Sequence, residues 1–118
     1  MTFNKTGQQL LELYHAALHA VDPYASVKRY RERILDSFRS AGCTRVLCVA
    51  FGKAACPMAK AVEDVCGDLL DASAVNTKYG HCSGYLLRNG KVFEGGHPLP
   101  DENGVRAVSY THLTLPTK

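Results

Sequence analysis

Residues 46–60 read VLCVAFGKAACPMAK. Thr44 to Phe51 is rich in β-branched and apolar residues without polar alternation, which predicts a strand covered on both faces, the habit of parallel sheets. Gly52 then interrupts the run. From Ala55 through Met58, Ala59, Val62, Val65 and Cys66 the apolar positions recur at helical spacing, with Lys60, Glu63 and Asp64 on the opposite side. Pro57 falls in the first turn, where its missing N–H costs nothing, and Gly67 stands where a helix end favours a left-handed residue. The stretch therefore predicts strand, short turn, helix.

The same signals extend outward. Upstream, Leu10, Tyr14, Ala17, Leu18 and Val21 form a helical stripe that "VDP" ends, because the residue before a proline avoids helical angles. Val27, Tyr30, Ile34, Leu35 and Phe38 repeat the period, and Lys28, Arg29, Arg31 and Arg33 between them read as a solvated face interrupted by Glu32 and Asp36. Downstream, "SAVNT", "YLLR" and "KVFEGG" read as strands between turn formers, and "RNGK" reads as a hairpin or tight turn. Strands alternating with helices predict an α/β sheet with helices on its faces. Val108 to Lys118, "VSYTHLTLPTK", follows one turn of a helix beginning at Asp101 and carries no continuing periodicity. It has the look of a translated sequencing adapter, so residues 108–118 are set apart as a non-native tail and fold reasoning rests on residues 1–107.

Composition limits the function classes. With 46% hydrophobic and 21% charged residues over 118 positions, the chain is neither disordered nor membrane-like. A net charge of +3 is too small for a nucleic-acid binder and suits an anionic small molecule. The N-terminus lacks a secretory signal and no apolar run reaches the roughly 20 residues that span a bilayer, so a cytoplasmic protein without membrane contact is expected. Five cysteines without a C-x-x-C pair point to reduced buried thiols and away from a disulfide framework or a metal site.

The chemistry concentrates in three stretches. In the first, a Walker loop is excluded, because Leu47 and Ala54 occupy the positions that need glycine and a hydroxyl residue. A dinucleotide fingerprint wants three glycines where "AFGKAA" has one, and Asp71 is only a loose candidate for the ribose acid. What remains is the turn Gly52-Lys53-Ala54 between a strand end and a helix start, where ligands of open α/β sheets bind; the competing reading is a solvent-facing lysine. The second stretch, "NTKYGHC", places Lys78 and His81 just after a strand, as site groups or as solvated turn residues. The third, "EGGHPLPDENG", offers His97 as a donor or acid-base group and Asp101 as a helix cap, or else an ordered surface connection.

Taken in order, "VAFGKAACPMAKAVE", "TKYGH" and "EGGHPLPDENGVRA" resemble the N-terminal part of the type II glycerate kinases, the glycerate 2-kinase family whose C-terminal portion is the MOFRL domain. The resemblance covers Thr6 to Ala107, and Ala50 departs from a glycine common at that position. It implies an incomplete Rossmann-like parallel sheet with flanking helices, the beginning of an N-terminal domain. It also implies ATP and Mg²⁺ as cofactors and glycerate as substrate, the γ-phosphoryl passing to the 2-hydroxyl to give 2-phosphoglycerate. The lysine of the family's G-K-A motif falls on Lys53, the expected catalytic group, with Gly52, Ala54, Lys78, His81, His97 and Asp101 framing the phosphate and substrate site and no metal ligand assigned. A chain this short is expected to be inactive alone. The alternatives are an NAD(P)-dependent hydroxypyruvate reductase and a non-catalytic α/β binding module.

Overall fold

The computed structural model describes residues 4–114. Its elements are α1 (Lys5–Ala20), α2 (Pro23–Arg29), α3 (Arg31–Ser40), β1 (Val46–Phe51), α4 (Ala55–Cys66), a 3₁₀ turn at Gly67–Leu69, β2 (Leu70–Lys78), β3 (Gly90–Gly95) and α5 (Glu102–Thr114). The three strands form one open sheet in the order β1-β2-β3, both pairings parallel. The expected α/β architecture is thus present, and the opening stretch folds as strand, turn and helix with Pro57 in the first turn of α4 and Gly67 at its end with φ +53°.

Asp22 and Pro23 both end α1 and start α2. The Asp22 carboxylate accepts the N–H of Ala25 at 2.8 Å, and Pro23 occupies the first helical position. The continuous helix expected across Val27 to Phe38 is instead two helices that meet at Tyr30. Leu35 of α3 is buried with Val65, Cys66 and Leu70, while the basic residues between the apolar positions remain exposed.

Side chains alternate along a strand, and residues paired in register share a face. Val75 packs with Ala55, Cys56, Ala59 and Leu87 beneath α4, joined by Cys48 and Ala50 of β1. Asn76 and its partner Phe93 point the other way, where Phe93 meets Tyr110 of α5 with ring centroids 5.5 Å apart. One helix therefore covers each face of β2. The edge strand β1 departs from the doubly covered strand predicted for it, since Val49 and Phe51 stay exposed and no strand among the described residues pairs with its outer side.

Segment 85–88, "YLLR", is not a strand, and "RNGK" makes no hairpin. The segment returns along the α4 face, with Leu87 against Ala59 and Val75, so that β3 can run parallel to β2, and Glu63 is the reason it stays there. Expected on the solvent side of α4, Glu63 is only 2% exposed. Its carboxylate accepts the backbone N–H of Arg88 at 2.7 Å and of Asn89 at 3.4 Å, together with Lys60 Nζ at 3.0 Å and Arg88 Nε at 3.3 Å. Asn89 in turn accepts the N–H of Ser73 at 2.9 Å, and Leu87 enters the core.

Two further expectations change. The helix beginning near Asp101 does not stop after one turn but continues through Thr114, because Asn103, Gly104, Ala107, Tyr110 and Thr111 give it a covered stripe of small and polar residues that hydrophobic periodicity does not reveal. Residues 115–118 of the segment set apart as a tail lie outside the described residues. The cysteines are not all reduced thiols: Cys56 and Cys82 form a disulfide with their Cα atoms 5.3 Å apart, while Cys66 is buried, Cys48 half-buried and Cys43 exposed. Sequence separation hides such a pairing. Closing a loop of sequence separation 26 is worth roughly 3.5 kcal/mol through the unfolded chain.

Burial opposes ionisation of Glu63, yet the Lys60 ammonium, the two backbone N–H groups and the Arg88 guanidinium together hold its carboxyl below the ordinary carboxylate range. A carboxyl depressed on folding stabilises above its unfolded value, and that contribution disappears as pH falls through the folded one. Urea midpoints should therefore be flat above about pH 5 and drop below it, less steeply in Glu63→Gln. At neutral pH the substitution should cost about 3 kcal/mol, because it breaks a buried charged contact and leaves two N–H groups poorly matched. An unchanged midpoint in Glu63→Gln would contradict this role.

Candidate functional site

The parallel register brings the carboxyl ends of all three strands to one edge: Phe51 lies opposite Asn76, and Lys78 opposite Gly95. At the end of β1 the chain turns through Gly52, whose φ of +104° lies in the region that side-chain-bearing residues avoid. Three bonds fix this turn. The Gly52 N–H donates to the Asn76 carbonyl at 3.0 Å, while its own carbonyl accepts the Thr77 hydroxyl at 2.8 Å and the Ala55 N–H at 3.2 Å. Lys53 follows, exposed, directly before α4.

The starts of the two helices that flank the edge differ. Ala54 at the N-terminus of α4 offers no side-chain cap; the Ala55 N–H donates to the Gly52 carbonyl, Pro57 has none, and the positive dipole end meets no internal anion. At α5 the carboxylate of Asp101 already fills that role. It accepts the N–H of Asn103 at 3.1 Å, of Gly104 at 3.4 Å and the hydroxyl of Tyr79 at 2.7 Å. The Tyr79 hydroxyl, with the backbone N–H groups of Gly96, Gly104 and Asn103, holds the Asp101 carboxyl below its usual range. Asn103 completes the network by donating to Tyr79 Oη at 2.9 Å and to the Glu94 carbonyl at 3.2 Å. These bonds shape residues 95–101 into a fixed loop, within which the His97–Pro98 peptide is cis.

Between the Gly52 turn and this loop lies a cavity of about 340 Å³, lined by Gly52, Lys53, Thr77, Lys78, Gly96 and His97 among others, none of them acidic. Two ammonium groups and an imidazole around one space suit an anion. Of the residues singled out in the sequence, the structure gathers Gly52, Lys53, Lys78 and His97 at this cavity. Ala54 is half-buried behind the turn. His81 is exposed in the next turn, where its N–H donates to the Lys78 carbonyl at 3.1 Å, and it does not line the space. Asp101 builds the loop and caps α5 without lining the cavity.

Thr77 and Asn76, which sequence reasoning passed over, set the geometry from the end of β2; their position immediately before Lys78 was the available signal. Asp71, the loose ribose candidate, pairs with Arg45 at the opposite end of the sheet. Among the described residues no group of three His, Cys, Asp or Glu side chains is placed to hold a metal ion, and no helix is long and apolar enough to cross a membrane.

Comparison with known proteins agrees with the fold. Residues 9–114 match the family described as "Domain of unknown function (DUF4147)". The chain is 42% identical over 102 residues to a glycerate 2-kinase of Pyrococcus horikoshii, covering 80% of this chain and 22% of that protein. It is 36% identical over 98 residues to a D-glycerate 2-kinase of Thermotoga maritima, covering 83% of this chain and 22% of the relative. The crystal structure of a Thermotoga maritima glycerate kinase superposes with a TM-score of 0.56 at 32% identity, over 78% of this chain and 23% of that one. The chain thus spans about a fifth of the length of the curated relatives it matches. The likeness expected from the three motifs is borne out, as is the open parallel α/β sheet.

Two substitutions probe how the site is held. A Cβ on Gly96 would run into the Leu99 carbonyl oxygen, so Gly96→Ala must reshape the loop and should lower stability by about 1–3 kcal/mol in urea titrations. Thr77→Val removes one of the two bonds to the Gly52 carbonyl and should cost about 1 kcal/mol by the same measurement. Wild-type midpoints in both would mean that neither contact shapes the edge.

Proposed function

This chain belongs to the DUF4147 family, and on that premise we propose that it carries the phosphoryl-binding turn of an ATP-dependent glycerate 2-kinase, which transfers the γ-phosphoryl of ATP to D-glycerate to give 2-phosphoglycerate. The observation that carries the reading is the convergence of Lys53, Lys78 and His97 on one cavity without a carboxylate. The names of the relatives supply the reaction class.

Phosphoryl transfer asks a protein mostly to position the reactants and to stabilise charge spread over the transferred group. Lys53 supplies an ammonium beside the Gly52 turn. Lys78 adds a second cation from the neighbouring strand, and His97 adds a ring donor from the facing loop. Thr77 and Asn76 act through Gly52, holding the turn that presents Lys53. Asp101 is assigned to the framework of the site. The described residues offer magnesium no ligand cluster, so no step is assigned to the ion on this chain. Because the chain spans about a fifth of the relatives' length, it is expected to bind the anion without turning substrate over.

Calorimetric titration of the purified chain with ATP and with inorganic phosphate tests the reading. Lys53→Ala should weaken both by at least about tenfold, the scale of one charge-assisted contact, and Lys78→Ala by less. Equal affinity in wild type and Lys53→Ala would remove the phosphoryl role. Oxidation of NADH with hydroxypyruvate, in place of phosphorylation of glycerate, would favour a reductase instead.

A further inference from the structure

The apolar stripe of α1 serves neither the core nor the anion cavity: no residue of this 16-residue helix is buried. Leu10 is 63% exposed, Tyr14 58% and Val21 70%, with Leu11 and Leu18 exposed beside them on the same face. At 3.6 residues per turn these five and Ala17 span about 120° of the helix, whereas Lys5, Gln8, Gln9, Glu12 and His19 fall on the opposite half. The stripe leaves about 500 Å² of apolar surface in water, a patch of the size that marks an interaction site. A helix of this length is marginal in water unless that face is packed. The chain is also extended. Its radius of gyration is 17.5 Å, against about 13.5 Å for a compact chain of the same length, and α1 stands off the sheet layers with room for a partner.

We propose that the occupant of this face is α1 of a second copy of the chain, the two helices running antiparallel about a two-fold axis at Tyr14. With Tyr14 facing its own copy, Leu10 meets Leu18, Leu11 meets Ala17, and Gly7, which has no side chain, meets Val21. One face thus complements itself, which is what an isologous two-fold contact requires. The charged residues of α1 stay on the far half, so the seam buries no unpaired charge. Each copy carries a net charge of +3; antiparallel pairing holds the two bodies at opposite ends of the helix pair, where parallel pairing would set them side by side. It also places the positive start of each helix beside the negative end of its partner. Covering the stripe on both copies removes about 1,000 Å² from water, the size that a specific contact needs.

Sedimentation equilibrium of the full chain, from micromolar to near-millimolar concentration, tests the pairing. A reversible equilibrium between 12.9 kDa and twice that mass is expected. Tyr14→Glu, which sets two carboxylates against each other on the axis, should raise the dimer dissociation constant at least about a hundredfold, and Gln9→Glu on the far half should change it less than about threefold. Because α1 buries nothing in the single chain, Tyr14→Glu should keep the wild-type urea midpoint at dilutions where both are monomeric, which separates lost pairing from lost folding. Orientation is read by cross-linking in a Cys43→Ser background: Leu10→Cys mixed with Leu18→Cys should give a disulfide-linked dimer on air oxidation that neither gives alone. A wild-type chain that stays monomeric throughout, or cross-linking of either cysteine variant with itself instead, would overturn the proposal. So would a dimer that survives Tyr14→Glu, and its loss in Val49→Lys would then assign the contact to the open edge of β1.

Discussion

One carboxylate inside the α4 layer organises the rest of the molecule. Glu63 projects from a helix otherwise faced with alanine, cysteine and valine and accepts the N–H groups of Arg88 and Asn89. A buried carboxylate without partners is expensive, so the chain that supplies its donors is fixed in place. That chain is the approach to β3, and its placement makes the third strand parallel. Asn89 then hands the constraint to β2 through Ser73, and Gly90 follows because a larger residue would strike Leu87.

The carboxyl end of the sheet inherits this order. Once β3 runs parallel, Gly95 and Gly96 arrive beside Lys78 and Gly52, and the Asp101 carboxylate folds the following loop back against Tyr79. The result is an asymmetry between two helix starts: α5 is capped by the Asp101 carboxylate, whereas α4 begins without a side-chain cap. Electrostatics at the edge is thus set by where the acidic residues go. Asp101 is spent on structure, Asp71 on Arg45 at the far end, and Glu63 beneath the helix.

Much of this was legible in the sequence. The apolar run, Gly52, Pro57 and Gly67 delimit β1 and α4 because each has a local backbone reason, and "VDP" marks the junction of α1 and α2 for the same reason. Lys53 was legible as a cation at an unusual place. Glu63 was not: three residues after Lys60 it reads as half of a solvated pair, and only the returning chain at Arg88 makes it buried. "RNGK" misled because turn propensity says nothing about which strand the chain will pair with next. His81 and His97 look alike in sequence, yet only the second lines the cavity, since the loop that presents it is shaped by Tyr79 and Asn103 from elsewhere. The cystine, whose members are 26 residues apart, leaves no periodic trace.

The strand order also has a temporal meaning. In this sheet each strand pairs with its neighbour in the chain, so no segment has to wait for a distant one or thread between two already placed. Parallel sheets are ordinarily slow to form because their closures span long stretches of chain. Here β1, α4 and β2 can assemble as one unit, and β3 adds when Glu63 captures Arg88 and Asn89. This connectivity lets assembly follow the order of synthesis, and the cavity at the carboxyl edge exists only once the third strand and the loop after it have docked.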